Sequence, residues 1–145
     1  MSISRQNLSI IIVTYKSEMV IHDCIKSIEK DMKIIVVENS DNSQFKEELE
    51  STYENVSCVL TSKNLGMGAG NNIGIKKAKT DFVLILNPDV ILEDSTINEL
   101  IVASRQITNF AILAPISTDI NYPNYRLLKN KKIKTKDETL FKVKS

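Results

Sequence analysis

Apolar and polar positions along this chain fall into blocks that switch between two periodicities. Leu8-Ser9-Ile10-Ile11-Ile12-Val13-Thr14 is a nearly unbroken β-branched run, the pattern of a strand buried on both faces. Ser17 is then placed to cap a helix whose Ile21, Cys24, Ile25 and Ile28 recur at helical spacing. Residues 33–37 repeat the strand pattern. Residues 43–54 return to the helical one, with Phe45, Leu49 and Tyr53 four apart on one stripe. Val56–Leu60 reads as a third strand. A helix is predicted to start inside a glycine-rich stretch and run to about Lys79, with Ile73 and Ala78 facing inward. Phe82–Leu86 is the fourth and most hydrophobic strand. Asp94 or Ser95 opens a helix carrying Ile97, Leu100, Ile101 and Ser104 on one face, and residues 111–116 are a fifth strand candidate.

Strands alternating with helices over short connections predict an α/β fold: a Rossmann-like, mainly parallel sheet with helices on both faces. In such sheets ligands bind at the carboxyl ends of the strands. Those ends here are polar: Thr14-Tyr15, Glu38-Asn39-Ser40-Asp41, Thr61 to Asn64, and Asn87-Pro88-Asp89. Past Ser117 the pattern decays. The chain therefore divides into a core at residues 1–117 and an irregular tail at 118–145, with a sheet incomplete on its C-terminal side. Apolar surface left open near residue 117 favours self-association.

Composition narrows the class. At 145 residues the chain fits one domain, and 42% hydrophobic with 26% charged residues argues against global disorder. The net charge of +1 hides an asymmetry: residues 126–145 carry a net +6 and the remainder a net −5. The tail has one aromatic, Phe141, among its basic residues and not the interleaved set that nucleic-acid readers use, so it reads as a solvated terminus with no nucleic-acid partner. Cys24 and Cys58 form no CxxC pattern and sit among apolar residues, as buried free thiols of a reducing compartment do. The apolar run at residues 8–13 is too short for a signal h-region, and no stretch approaches a membrane span. The expected location is the cytoplasm, at most peripheral to the inner face of the membrane.

All four glycines, Gly66, Gly68, Gly70 and Gly74, lie in one short stretch before the fourth strand. No Gly-Lys-Ser/Thr follows, which excludes a Walker loop. The third glycine of a dinucleotide fingerprint would fall at Asn71, which excludes that motif. Two readings remain. The stretch feeds a helix N-terminus whose unpaired N–H groups favour an anion, helped by the amides of Asn64, Asn71 and Asn72; or it is a helix packed tightly against the sheet. Asn87-Pro88-Asp89 is likewise either a plain turn or a carboxylate delivered to the rim for Mg²⁺ or Mn²⁺. Glu38 and Asp41 suit a ribose or base edge, unless Asp41 or Asn42 merely opens the turn before a helix. His22, the sole histidine, falls on the outer face of the first helix with no partner evident along the chain.

Three segments together resemble glycosyltransferase family 2, inverting enzymes of the GT-A fold that use nucleotide sugars. They are residues 8–16, residues 34–40, and residues 64–74 taken with Leu84-Ile85-Leu86-Asn87-Pro88-Asp89-Val90. The last is most similar to the rhamnosyltransferase-like branch, where Asn-Pro-Asp stands in for Asp-X-Asp. The resemblance implies that Thr14, Tyr15, Glu38 and Asn39 contact the donor nucleotide. It implies that Asn64, Gly68, Gly70, Asn71 and Asn87 border the diphosphate-sugar and that Asp89 holds a divalent cation, Mg²⁺ or Mn²⁺. Glu38 stands where the family more often has aspartate. Asn87 stands where it often has a second acid. The family's catalytic-base carboxylate lies well downstream of the metal aspartate, and Asp119, Asp137 and Glu138 match no such pattern, so the catalytic residue is unassigned.

Two functions follow from the resemblance. One is transfer of a sugar from a nucleotide-diphosphate sugar to a glycan or lipid-linked acceptor in bacterial surface polysaccharide synthesis. The other is a catalytically incomplete nucleotide-sugar-binding fragment that works with a partner chain supplying the missing half. An unrelated doubly wound domain is disfavoured by the failed glycine spacing and by the lack of an acidic pair after the first strand.

Overall fold

The computed structural model describes residues 3–107 and 110–115. β1 (Leu8–Thr14), β2 (Lys33–Glu38), β3 (Val56–Leu60) and β4 (Phe82–Leu86) form one sheet in the order β3-β2-β1-β4. Every pairing is parallel, with Ile10 beside Ile34 on one side and Leu84 on the other. α1 (Glu18–Lys26), α2 (Ser43–Thr52) and α3 (Met67–Lys77) alternate with the strands. Two compact units divide the chain between Asp94 and Ser95. The sheet and α1 to α3 make the first. α4 (Thr96–Gln106), with Ile97, Ile101 and Ser104 buried, belongs to the second.

The chain steps from β1 outward to β3 and then returns to place β4 on the far side of β1. Right-handed crossovers then put α1 and α2 on one face and α3 on the other. Side chains agree. His22 of α1 meets the rings of Phe45 in α2 and Tyr53 just past it, while Gly70 and Gly74 of α3 lie against Val13, Ile11 and Val37. The core is the central strand and its flanks: Ile10, Ile11, Ile12, Ile34, Val36 and Val37 are almost wholly buried. Burial on both faces explains why these strands read as continuous apolar runs.

Several details depart from the sequence expectation. α3 ends at Lys77 and turns Gly70 and Gly74 inward, while Ile73 and Ala78 are half-buried. The cause is steric: a Cβ at Gly74 would sit 2.3 Å from Ile11 Cγ2, so only glycine permits this approach. Ser17 occupies the N-cap of α1 without bonding its amides, its hydroxyl donating instead to the Tyr15 carbonyl. Asn42 is the working cap of α2, accepting from the Phe45 N–H at 3.0 Å. His22 has partners: Tyr53 Oη lies 2.9 Å from Nδ1, and Glu48 lies 3.3 Å from Nε2. Residues 111–115 carry no strand. Ile116, the boundary at 117/118 and the basic tail lie outside the described residues.

The glycines of α3 should respond to alanine with opposite signs. Gly74→Ala is expected to cost ~1–3 kcal/mol in urea unfolding, because Ile11 is β-branched in a central strand and cannot yield. Gly68→Ala meets open space and should be neutral or stabilising by up to about 1 kcal/mol.

Candidate functional site

Because all four strands are parallel, their carboxyl ends gather at one edge. Thr14 closes β1 and is fully buried, yet its Oγ1 has no hydrogen-bond partner among the described residues, an uncommon state for a buried hydroxyl. Tyr15 follows and is 46% exposed, with Lys16 Nζ 5.5 Å above its ring. Lys16 and Asp41 both hold positive φ, 54° and 60°, in the turns leaving β1 and β2. Together with Glu18, Ser40, Asn42 and Gln44 they line an open polar cup of about 470 Å³. Strained backbone of this kind concentrates at ligand sites.

Glu38 and Asn39 end β2 and work in opposite directions. Glu38 is 0% exposed and its carboxylate is consumed by the loop that follows. Oε1 accepts from the Ser40 N–H at 2.9 Å and from the Ser40 hydroxyl, and Oε2 accepts from the Asn42 N–H at 2.7 Å. A carboxylate so enclosed holds the loop's shape and presents no free oxygen to a nucleotide. Asn39, 2% exposed, bonds instead to the connection between β3 and α3, through Thr61, Asn64, Leu65 and Gly66.

That connection delivers α3 to the rim. Gly66 has φ 80° and ψ 164°, a conformation essentially reserved for glycine, and it begins the helix. Gly70 packs on Val13, so the first turn of α3 overlies the end of β1. The leading N–H groups of a helix lack intrahelical acceptors, and Gly68 faces open space. Asn64 and Gly68 are exposed and Asn71 is half-buried.

On the other side of β1, Leu86 of β4 pairs with Ile12 and is followed by a turn over Asn87-Pro88-Asp89, closed by the Val90 N–H on the Asn87 carbonyl. The turn is pinned to α1. Cys24 Sγ donates to the Asn87 carbonyl at 3.5 Å, and Ser27 Oγ accepts from the Leu92 N–H at 2.9 Å. Asn87 and Asp89 remain exposed, and Asp89 has no ion pair among the described residues. The glycine turn and Asp89 thus leave the same edge of the sheet, the first turn of α3 over the end of β1 and Asp89 just past the end of the neighbouring β4. Cys24 and Ser27 were not foreseen in this region, because each acts on the backbone of a residue far along the chain. Ser40 and Thr61 were read at the rim, but not as the partners of Glu38 and Asn39.

Comparison with known proteins decides the family. Residues 9–144 match glycosyl transferase family 2. The chain belongs to that family. The low-salt glycan biosynthesis hexosyltransferase Agl10 of Haloferax volcanii is 34% identical over 113 residues, 75% of this chain and 36% of its own length. An uncharacterized protein of Haemophilus influenzae is 32% identical over 71 residues, 46% of this chain and 38% of its own. The chain therefore spans little more than a third of these relatives. Among solved structures, S. aureus TarS residues 1–349 in complex with UDP-GlcNAc aligns with a TM-score of 0.58 at 23% identity, over 69% of this chain and 31% of that one. The fold is accordingly the Rossmann-like GT-A fold. No helix among the described residues is long and apolar enough to cross a membrane.

Two thiols give the domain a pH signature. Burial, reinforced by the charge of Asp89, pushes Cys24 up to about 11. Burial also pushes Cys58 to about 11, against the opposing charge of Lys46. A thiol whose folded pKa is raised contributes its full stability below the ordinary value of 9.0 and loses it as pH climbs toward 11. The melting temperature should therefore fall between pH 9 and 11, and fall less in the Cys24→Ala/Cys58→Ala double variant. Tyr53, also pushed up by burial and by Asp23 and Glu48, is common to both proteins, so the difference isolates the thiols.

Proposed function

We propose that this chain binds a nucleoside-diphosphate sugar at the carboxyl edge of its sheet and forms the donor half of an inverting glycosyltransferase. The observation that carries the reading is a pair of elements at one edge of the sheet: the open N-terminus of α3, laid over the end of β1, and the exposed Asp89, just past the end of the neighbouring β4. A helix N-terminus favours the diphosphate, and a carboxylate at the same edge of the sheet suits a cation that arrives with that diphosphate. In this reading Thr14 and Tyr15 receive the nucleotide. Tyr15 offers an exposed ring for stacking, and the unpartnered Thr14 hydroxyl offers a hydrogen bond. Asn64, Gly68, Gly70, Asn71 and Asn87 border the diphosphate-sugar. Glu38 and Asn39 serve by shaping the loops around it.

Among the described residues no three side chains gather as a metal site. Asp89 alone fits one ligand position of a hard cation such as Mg²⁺ or Mn²⁺, with phosphate oxygens and water completing the shell. Such a cation, when bound, neutralises the departing diphosphate. Asn-Pro-Asp in place of two acids supports the rhamnosyltransferase-like branch and a weaker hold on the cation. TarS was solved with UDP-GlcNAc, which supports a nucleotide-sugar donor, and Agl10 is named for glycan biosynthesis, which supports a glycan or lipid-linked acceptor.

Calorimetry of the full chain with UDP, dTDP and GDP in Mn²⁺ tests this. At least one should bind, and Asp89→Ala should weaken it about tenfold or more, about 1.4 kcal/mol, with no difference between the proteins when the metal is chelated. Failure of all three to bind overturns the reading.

A further inference from the structure

Asn39 is the most heavily bonded side chain at the rim, and all of its polar contacts reach one segment. It sits at the end of β2, where the alternation of the strand turns Glu38 toward α1 and α2 and Asn39 toward α3. Nδ2 donates to Asn64 Oδ1 at 3.0 Å and, more weakly, to the Gly66 carbonyl at 3.5 Å. Oδ1 accepts from the Leu65 N–H at 3.0 Å and from the Thr61 hydroxyl at 2.9 Å. Every partner lies between residues 61 and 66, the connection that aims α3.

The network also fixes Asn64. Its Oδ1 is held inward by Asn39 and by the Gly66 N–H at 2.8 Å. The amide end of an exposed asparagine held in this way is a donor group, and Asn64 Nδ2 has no partner among the described residues. It belongs to the same turn as the leading N–H groups of α3. Two kinds of N–H donor are thus presented by one segment, and one buried side chain sets that segment's shape.

We propose that Asn39 is a positioning residue for the diphosphate: it clamps the β3–α3 turn so that Asn64 Nδ2 and the N-terminus of α3 are offered together to the phosphate oxygens. This rests on the donor-site reading above. Only an amide can fill the position, since it must donate to two oxygens and accept from two donors at once. A carboxylate would set a negative oxygen against Asn64 Oδ1 and the Gly66 carbonyl, while its other oxygen still accepted from Leu65 and Thr61. Asn39→Asp therefore breaks the donating half alone.

The test compares the full-length wild-type chain with Asn39→Asp and Asn64→Asp. Amide hydrogen exchange is followed at Leu65 and Gly66, and UDP and UMP binding is measured in Mn²⁺. Asn39→Asp should speed exchange at Gly66 at least tenfold and lower UDP affinity at least tenfold, with UMP affected less than threefold. A general loss of fold would weaken both nucleotides alike. Asn64→Asp keeps the inward oxygen and replaces the outward donor, so it should lose UDP by a similar factor with Gly66 exchange unchanged; it also reads out the proposal if Asn39→Asp does not fold. Unchanged Gly66 exchange in Asn39→Asp overturns the clamp whatever the wild type binds. Equal losses of UDP and UMP, or none in Asn64→Asp, overturn the diphosphate role. A wild-type chain that binds neither nucleotide overturns the donor-site reading and the diphosphate role with it, and the exchange result then decides the clamp alone.

Discussion

The structure depends on how closely α3 lies on the sheet. At Gly74 there is no room for a methyl group between the helix and Ile11, and at Gly70 an added Cβ would fall 2.7 Å from Val13 Cγ1. The helix therefore rests its backbone on the side chains of β1 and β2, where most helices interpose their own. Close backbone approach brings the first turn of α3 directly over the end of the central strand. With a larger residue at either position the helix would stand further out, and its N-terminus would miss the rim.

The dipeptide Glu38-Asn39 completes that placement. Successive residues of a strand face opposite ways, and here each gathers the loop on its own side. Glu38 holds residues 40–42 through backbone N–H groups, while Asn39 holds residues 61–66. Leaving a buried donor or acceptor unmade costs about 1–3 kcal/mol, so a carboxylate and an amide buried here resist rearrangement only because they are fully paired. The Thr14 hydroxyl, one strand over, is the exception. The rim thus combines a rigid, satisfied frame with one buried polar atom that lacks a partner among the described residues.

β1 and β2 were plainly legible in the sequence because they are largely covered on both faces, and burial writes itself as unbroken β-branched runs. α1 and α2 were equally legible, since Ile21, Cys24, Ile25, Phe45 and Leu49 all point inward as their spacing demands. α3 was not. Its contact face is made of glycines, which carry no hydrophobic signal, so Ile73 and Ala78 drew the eye instead. Of the two readings of the glycine stretch, tight packing holds at Gly70 and Gly74, while Gly66 and Gly68 stay open. The inward turn of Glu38 was hidden for another reason: which way a rim acid points is decided by amides two and four residues ahead, and no periodicity records that. His22 looked solitary because Tyr53 and Glu48 reach it only after two helices have packed side by side.

The strand order has a temporal consequence. β1 is made first and β4 last of the four, yet they are neighbours, joined from Leu8 beside Phe82 to Ile12 beside Leu86 across all the chain that carries α1, α2 and α3. Pairings so distant along the chain are slow to nucleate, since loop closure must precede the contacts that reward it. As the chain leaves the ribosome, β1 to β3 can assemble with α1 and α2 while the far edge of β1 stays bare. Asp89 joins the rim only when β4 zips onto that edge, so a partly assembled sheet of β1 to β3 would hold the ends of β1 and β2 in place without the acid.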